Sequence, residues 1–116
     1  MKLKAINEQG IDINGTSLKG YVVTTRGDLT RAFGEPNDYT SDGDKVNFEW
    51  RLQFEDADGE YTATIYDWKN YDTILKEDEL YQWHVGGRGY HGIVQAVSDA
   101  LFNRGGVVLS TTSRPY

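Results

Sequence analysis

Two runs of alternating residues between Lys45 and Trp68, on either side of an acidic turn, constrain this chain's fold more than any other stretch. In the first run Val46, Phe48, Trp50, Leu52 and Phe54 alternate with Asn47, Glu49, Arg51, Gln53 and Glu55. A period of two gathers the apolar set on one face of a strand, whereas a helix would scatter it. Asp56-Ala57-Asp58-Gly59 follows, and its Asp-Gly pair suits a hairpin turn. The return run, Glu60 to Trp68, then pairs antiparallel with the first. Its other set is Thr62, Thr64, Tyr66 and Trp68, so the face away from the core carries rings as well as polar groups.

The flanking segments add shorter elements. Ile11 and Ile13, an Asn14-Gly15 turn and Leu18 to Val23 read as two short strands. Thr25 with Asp28 three residues later has the pattern of a capping box and predicts a helix of about two turns. Leu29, Ala32 and Phe33 form its apolar side, Gly34 stops it and Pro36 prevents its continuation. Asn37 to Asp44 reads as a polar loop; the spacing of Asp38, Asp42 and Asp44 does not match a calcium loop, and no metal site is expected.

Lys69 to Glu79 reads as a second surface loop. Leu80 to Val85 alternates again, with Tyr81, Trp83 and Val85 on one face and Gln82 and His84 on the other, as the third strand of a meander. From His91 the period lengthens. Ile93, Val94, Val97, Ala100 and Leu101 lie three and four apart, Phe102 extends the apolar edge, and the helix is expected to end at Gly105-Gly106. Val107 to Leu109 should add a last strand before a polar tail from Ser110 to Tyr116.

The sum is one α+β domain over residues 1–116, a two-layer antiparallel β-sheet (meander) with two α-helices packed on one face. At 116 residues the chain suits a single core. The absence of cysteine removes disulfides, thiolate ligands and thiol nucleophiles, and fits a reducing cytoplasm. A net charge of -6 disfavours nonspecific nucleic acid binding, which needs cations for the phosphates. No window approaches the roughly 20 apolar residues of a membrane span, and no apolar run follows Met1-Lys2-Leu3-Lys4-Ala5, so a soluble, unprocessed protein with no membrane partner is expected.

Two places can carry chemistry. Gly87, Gly89 and Gly92 fit the G-x-G-x-x-G spacing between a strand and a helix, where backbone N–H groups can approach an anion, and Arg88 and His91 add donors. A dinucleotide fold is rejected, because the preceding strand reads as antiparallel and no acid stands roughly 20 positions on. A plain strand-to-helix turn is the competing reading. The second place is the hairpin's outer face, where Tyr66 and Trp68 offer rings for stacking, Arg51 can hold a phosphate or carboxylate, and His84 projects from the next strand. Burial of Trp68 under the Lys69 to Glu79 loop, or in a subunit interface, explains the same residues. No nucleophile and base can be paired from spacing, so no catalytic residues, no enzyme activity and no cofactor are expected.

Gly15-Thr16-Ser17-Leu18-Lys19-Gly20-Tyr21, Phe33-Gly34-Glu35-Pro36, Glu49-Trp50, Ile65-Tyr66-Asp67-Trp68-Lys69 and Trp83-His84-Val85-Gly86-Gly87 occur in that order. In these motifs the chain resembles a group of small, mostly uncharacterised bacteriophage proteins, over about Asn14 to Leu101. The resemblance implies a protein acting in the cytoplasm of an infected host bacterium. Counter-defence is the expected role there, as a sponge for a nucleotide-type immune signal, similar in kind to the Thoeris and CBASS anti-defence proteins. Such a sponge is a homo-oligomer whose partner is a phosphate-containing small molecule. An acidic inhibitor of a host defence effector, of anti-CRISPR or anti-restriction type, and an accessory phage structural protein are the alternatives.

Overall fold

In a computed structural model, described for residues 1–8, 10–38, 45–69, 74–88 and 92–114, the chain forms seven strands and two helices. The order is β1 (Lys2–Ile6), β2 (Ser17–Thr25), α1 (Arg26–Phe33), β3 (Asn37–Asp38), β4 (Phe48–Asp56), β5 (Gly59–Tyr66), β6 (Leu80–Gly87), α2 (Ile93–Asn103) and β7 (Ser110–Ser113). All strand pairings are antiparallel, in the spatial order β1-β4-β5-β6-β2-β7, with β3 also paired to β4. The expected α+β architecture is present, with the meander β4-β5-β6 at its centre.

The alternation in the hairpin is the reason for this arrangement. Phe48, Trp50, Leu52 and Phe54 of β4 are buried, joined by Ala63 and Ile65 of β5 and by Trp83 and Val85 of β6. Against this face pack Leu29, Ala32 and Phe33 of α1 and Ile93, Val94, Val97 and Leu101 of α2. Trp50 and Trp83 meet edge to face, with ring centroids 5.6 Å apart. Each indole is tied to one end of α1: Trp50 Nε1 donates to the Gly34 carbonyl at 2.8 Å and Trp83 Nε1 to the Thr24 carbonyl at 3.2 Å. At the start of that helix Thr25 caps as expected, its hydroxyl accepting the Asp28 N–H at 3.0 Å.

Five expectations require correction. Ile11 and Ile13 are not in a strand; the Asn14-Gly15 turn lies in a connector, and the first strand is β1, which amphipathic pattern alone does not reveal. Val46 precedes β4 and is half-buried on the outer side, because Asp67 fixes the backbone there. Phe102 is 70% exposed, since α2 turns its other side to the sheet. The last strand is Ser110–Ser113, where a polar tail was expected, and not Val107 to Leu109; backbone pairing with β2 holds it without apolar burial. The loop expected over residues 37–44 begins with β3, and residues 39–44 lie outside the described residues.

The order of strands dictates what happens on the outer face. β1 lies against β4, whereas β2 lies beyond β6, so the connector between them must cross the width of the meander. Thr62 and Thr64 point away from the core yet are only 2% and 3% exposed, and they share surface hollows with connector residues Ile11, Asp12, Ile13 and Thr16. The connector therefore covers part of the outer face. Its start is pinned to the hairpin: the Asn7 N–H donates to the Arg51 carbonyl and Asn7 Oδ1 accepts the Arg51 N–H, both at 2.7 Å.

On the far side of the sheet, a register break between Leu18 and Gly20 brings Gly20 under β7 and α2. A Cβ at Gly20 would lie 2.0 Å from the Thr112 carbonyl oxygen and 2.9 Å from Val94 Cγ2. Gly20→Ala should push β7 away from β2, at a cost of about 1–3 kcal/mol, the usual range for overpacking. Urea unfolding measures that cost, and amide exchange at residues 110–113 should accelerate more than exchange in β4 and β5.

Candidate functional site

The connector divides the outer face into two hollows. The larger, about 450 Å³, is lined by Lys4, Glu8, Asp12, Glu60, Thr62 and Arg88 among others. Its cations are already engaged. Lys4 pairs with Glu60 and lies 3.9 Å from Glu55; the hydrogen bond, followed by charge attraction, raises the Lys4 ammonium and lowers the Glu60 carboxyl from their ordinary values. Arg88 Nη1 donates to the Asn14 carbonyl, and Nη2 to the Asp12 carbonyl at 3.4 Å. The arginine expected to receive an anion thus staples the connector to the end of β6.

Gly87, expected in the same turn, is a strand residue opposite Ser17 and Ala63. It lets the sheet approach α2, for a Cβ would sit 2.9 Å from Ile93 Cγ2. Gly89 and His91 lie outside the described residues.

The smaller hollow, about 270 Å³, is lined by Glu49, Thr64, Tyr66, Trp68 and Gly86, with Thr16 and Ser17 from the connector side. Register explains its composition. Glu49 pairs with Tyr66, Tyr66 with His84, His84 with Tyr21 and Tyr21 with Thr112, which sets five side chains in one row across the outer face. His84 meets Tyr21 at 5.0 Å between centroids, Tyr66 at 5.3 Å and Trp68 at 6.3 Å, while Tyr66 and Trp68 are 6.2 Å apart. Such separations are those of interacting aromatic pairs. Gly86 sits in the next row; a Cβ there would lie 2.5 Å from Thr64 Oγ1, so its missing side chain makes room for the Thr64 hydroxyl, with the Tyr66 ring beside it.

Trp68 is 39% exposed, and its position is fixed by its neighbours in sequence. Asp67, fully buried, accepts the Asn47 and Phe48 N–H groups on Oδ1 at 2.8 and 2.9 Å. The Lys69 N–H donates to the Lys45 carbonyl at 2.8 Å, and the Trp68 N–H to the Tyr81 hydroxyl at 3.2 Å. These bonds bring the start of β4 beside the end of β5, and two ammonium groups to one indole: Lys45 Nζ is 5.7 Å and Lys69 Nζ 5.8 Å from the Trp68 ring centroid. Both are within reach of a cation–π attraction.

Arg51, Tyr66, Trp68 and His84 thus share one face, although Arg51 is directed to Glu49, its Nε donating to Oε1 at 2.6 Å. Alternation pointed to the rings. It did not reveal Tyr21, which reaches His84 only because β2 pairs with β6, or the two lysines, which a buried aspartate draws together. The Asp-Trp-Lys run was the available signal for that clamp.

The electrostatics of the row favour neutral rings. Burial, and then the charge of Glu49, push the Tyr66 hydroxyl up, so it remains a donor. Burial lowers His84 from its ordinary 6.5, opposed by attraction from Asp67. The imidazole is neutral at pH 7 and acts as a ring and a neutral polar group. Asp67 Oδ2 is buried without a hydrogen-bond partner among the described residues.

These features define an α+β domain with an aromatic, lysine-flanked hollow on the outer face of its sheet. No described group of histidines, cysteines, aspartates or glutamates is arranged to hold a metal ion, and no described helix is long and apolar enough to cross a membrane. No family model, curated protein or solved structure matches the chain.

The lowered His84 value carries a pH signature. The unfolded chain binds a proton at His84 more readily than the folded one, so the contribution is fully present above about 6.5 and is lost as pH falls through the folded value. Thermal unfolding of the wild type should drop more between pH 7.5 and pH 5 than that of His84→Gln. Equal slopes for the two proteins would show that His84 is not desolvated by the rings around it.

Proposed function

We propose that this chain is a non-enzymatic binding protein that captures a planar, anionic, nucleotide-type ligand in the hollow beside Trp68. The observation that carries this reading is the exposed indole flanked by Lys45 and Lys69, with Tyr66 and His84 at its edge. A nucleobase stacks on the indole and the two ammonium groups meet its phosphate. Base–aromatic stacking contributes about 1–3 kcal/mol per base, independent of which base it is. The larger hollow supports the reading less, because no aromatic ring stands among its described lining residues.

With the resemblance to small phage proteins, the biological role we propose is counter-defence: sequestration of a nucleotide immune signal in the cytoplasm of the infected host. The acidic-inhibitor alternative draws less from the surface. Asp28, Glu49, Glu55 and Glu60 each face a lysine or arginine within 4.0 Å, whereas a mimic of DNA needs an uncompensated array of carboxylates. A homo-oligomer belongs to the same proposal. A hollow of about 270 Å³ is smaller than the roughly 300–1,000 Å³ of most small-molecule sites, and a second copy closing over it supplies the missing wall.

Calorimetry with a panel of cyclic mononucleotides, cyclic dinucleotides and cyclic ADP-ribose isomers tests the proposal. At least one should bind, and Trp68→Ala should weaken it by roughly 5- to 150-fold, the equivalent of the stacking energy, with the domain still folded at the temperature of the titration. No heat with any member would sink the reading, as would an unchanged affinity in the variant.

A further inference from the structure

The hollow has one wall that stacking and phosphate binding leave unexplained. Glu49 lines it opposite Tyr66, and its side chain is only 12% exposed. An acidic group is unfavourable in a site meant only for a phosphate, since it repels the charge that the lysines attract. It is useful if the ligand presents donors. Arg51 Nε, held 2.6 Å from Oε1, orients the carboxylate and puts a guanidinium beside it.

A carboxylate offers acceptors only. The base edge that complements its two oxygens has two adjacent donors. Guanine presents them on its Watson–Crick edge, at the 2-amino group and N1–H. Adenine presents an acceptor at N1 beside one amino donor, cytosine an acceptor at N3 beside one amino donor, and uracil a single N–H between two carbonyls. Each of these sets at least one acceptor against the carboxylate or leaves one of its oxygens without a donor.

We propose, building on the stacking site above, that Glu49 makes the hollow selective for a guanine ring, with the carboxylate, held in place by Arg51, accepting from N1–H and the 2-amino group. Trp68 supplies affinity for any base, and Glu49 supplies the choice among them. A well-formed bidentate pair discriminates by about 1–3 kcal/mol, roughly 5- to 150-fold.

The probes are cyclic GMP, cyclic AMP and cyclic IMP, titrated into the wild type, Glu49→Gln and Glu49→Asp. Cyclic GMP should bind roughly 5- to 150-fold more tightly than cyclic AMP. Cyclic IMP, which keeps N1–H and O6 but lacks the amino group, should fall between them. Glu49→Gln should bring the three affinities together, and Glu49→Asp should retain the order of preference. If cyclic GMP and cyclic AMP bind wild-type protein equally, or cyclic AMP binds better, the guanine assignment is overturned while the stacking site stands. If none of the three binds but another member of the nucleotide panel does, the assignment is again wrong and the site is not. If no nucleotide binds at all, both proposals fall together. The wild-type ratio is informative even if Glu49→Gln is too unstable to purify.

Discussion

The two core tryptophans hold the sheet and the first helix in one frame. Trp50 comes from β4, the first strand of the hairpin, and Trp83 from β6, its neighbour but one; they meet edge to face, and their indole N–H groups reach opposite ends of α1. A buried indole has to place its N–H, and here the partners are the carbonyl at the helix's C-terminal cap and the carbonyl just before its N-terminal cap. The helix is only eight residues long, too short to persist alone in water. Its existence follows from being bracketed by the two rings and from the Leu29, Ala32 and Phe33 side they face.

With the inner face buried under the helices, the rings of Tyr21, Tyr66, Trp68 and His84 stand together on the outer face. Strand order then shapes that face. Placing β1 and β2 on opposite sides of the meander sends the connector across the sheet, where it buries Thr62 and Thr64 and leaves two separate hollows. Arg88 belongs to this covering, since it bonds the connector's carbonyls. The aromatic row on the other side remains open because the connector has already joined β2 at Ser17. The site is a by-product of topology as much as of the residues that line it.

This accounts for how much could be read from the chain. The hairpin, the capped helix α1, the strand carrying Trp83 and His84 and the helix carrying Ile93 to Leu101 follow from local period and cap chemistry, and they stand where the pattern puts them. β1 and β7 do not announce themselves: β1 is five residues long, with Leu3 and Ile6 only partly buried against the core, and Ser110–Ser113, held by backbone pairing, has no apolar residue at all. The rings of Tyr66, Trp68 and His84 were legible as an outer-face set. Their company was not. Tyr21, Lys45 and Lys69 arrive through strand order and through the Asp67 clamp, neither of which has a periodic signature. The glycine-rich stretch after β6 misled in the opposite sense: Gly87 continues the ladder, and its small size serves the approach of α2.

The distribution of the three indoles has an optical consequence. Trp50 and Trp83 are fully buried beside each other, and Trp68 is the one open to solvent. Emission from the buried pair reports on the integrity of the core and is shielded from soluble quenchers. Emission from Trp68 is accessible to them, and an anionic quencher such as iodide is drawn there by Lys45 and Lys69. The native chain therefore carries two kinds of indole, one pair reporting on the core and one ring on the surroundings of the outer face, with no label to attach.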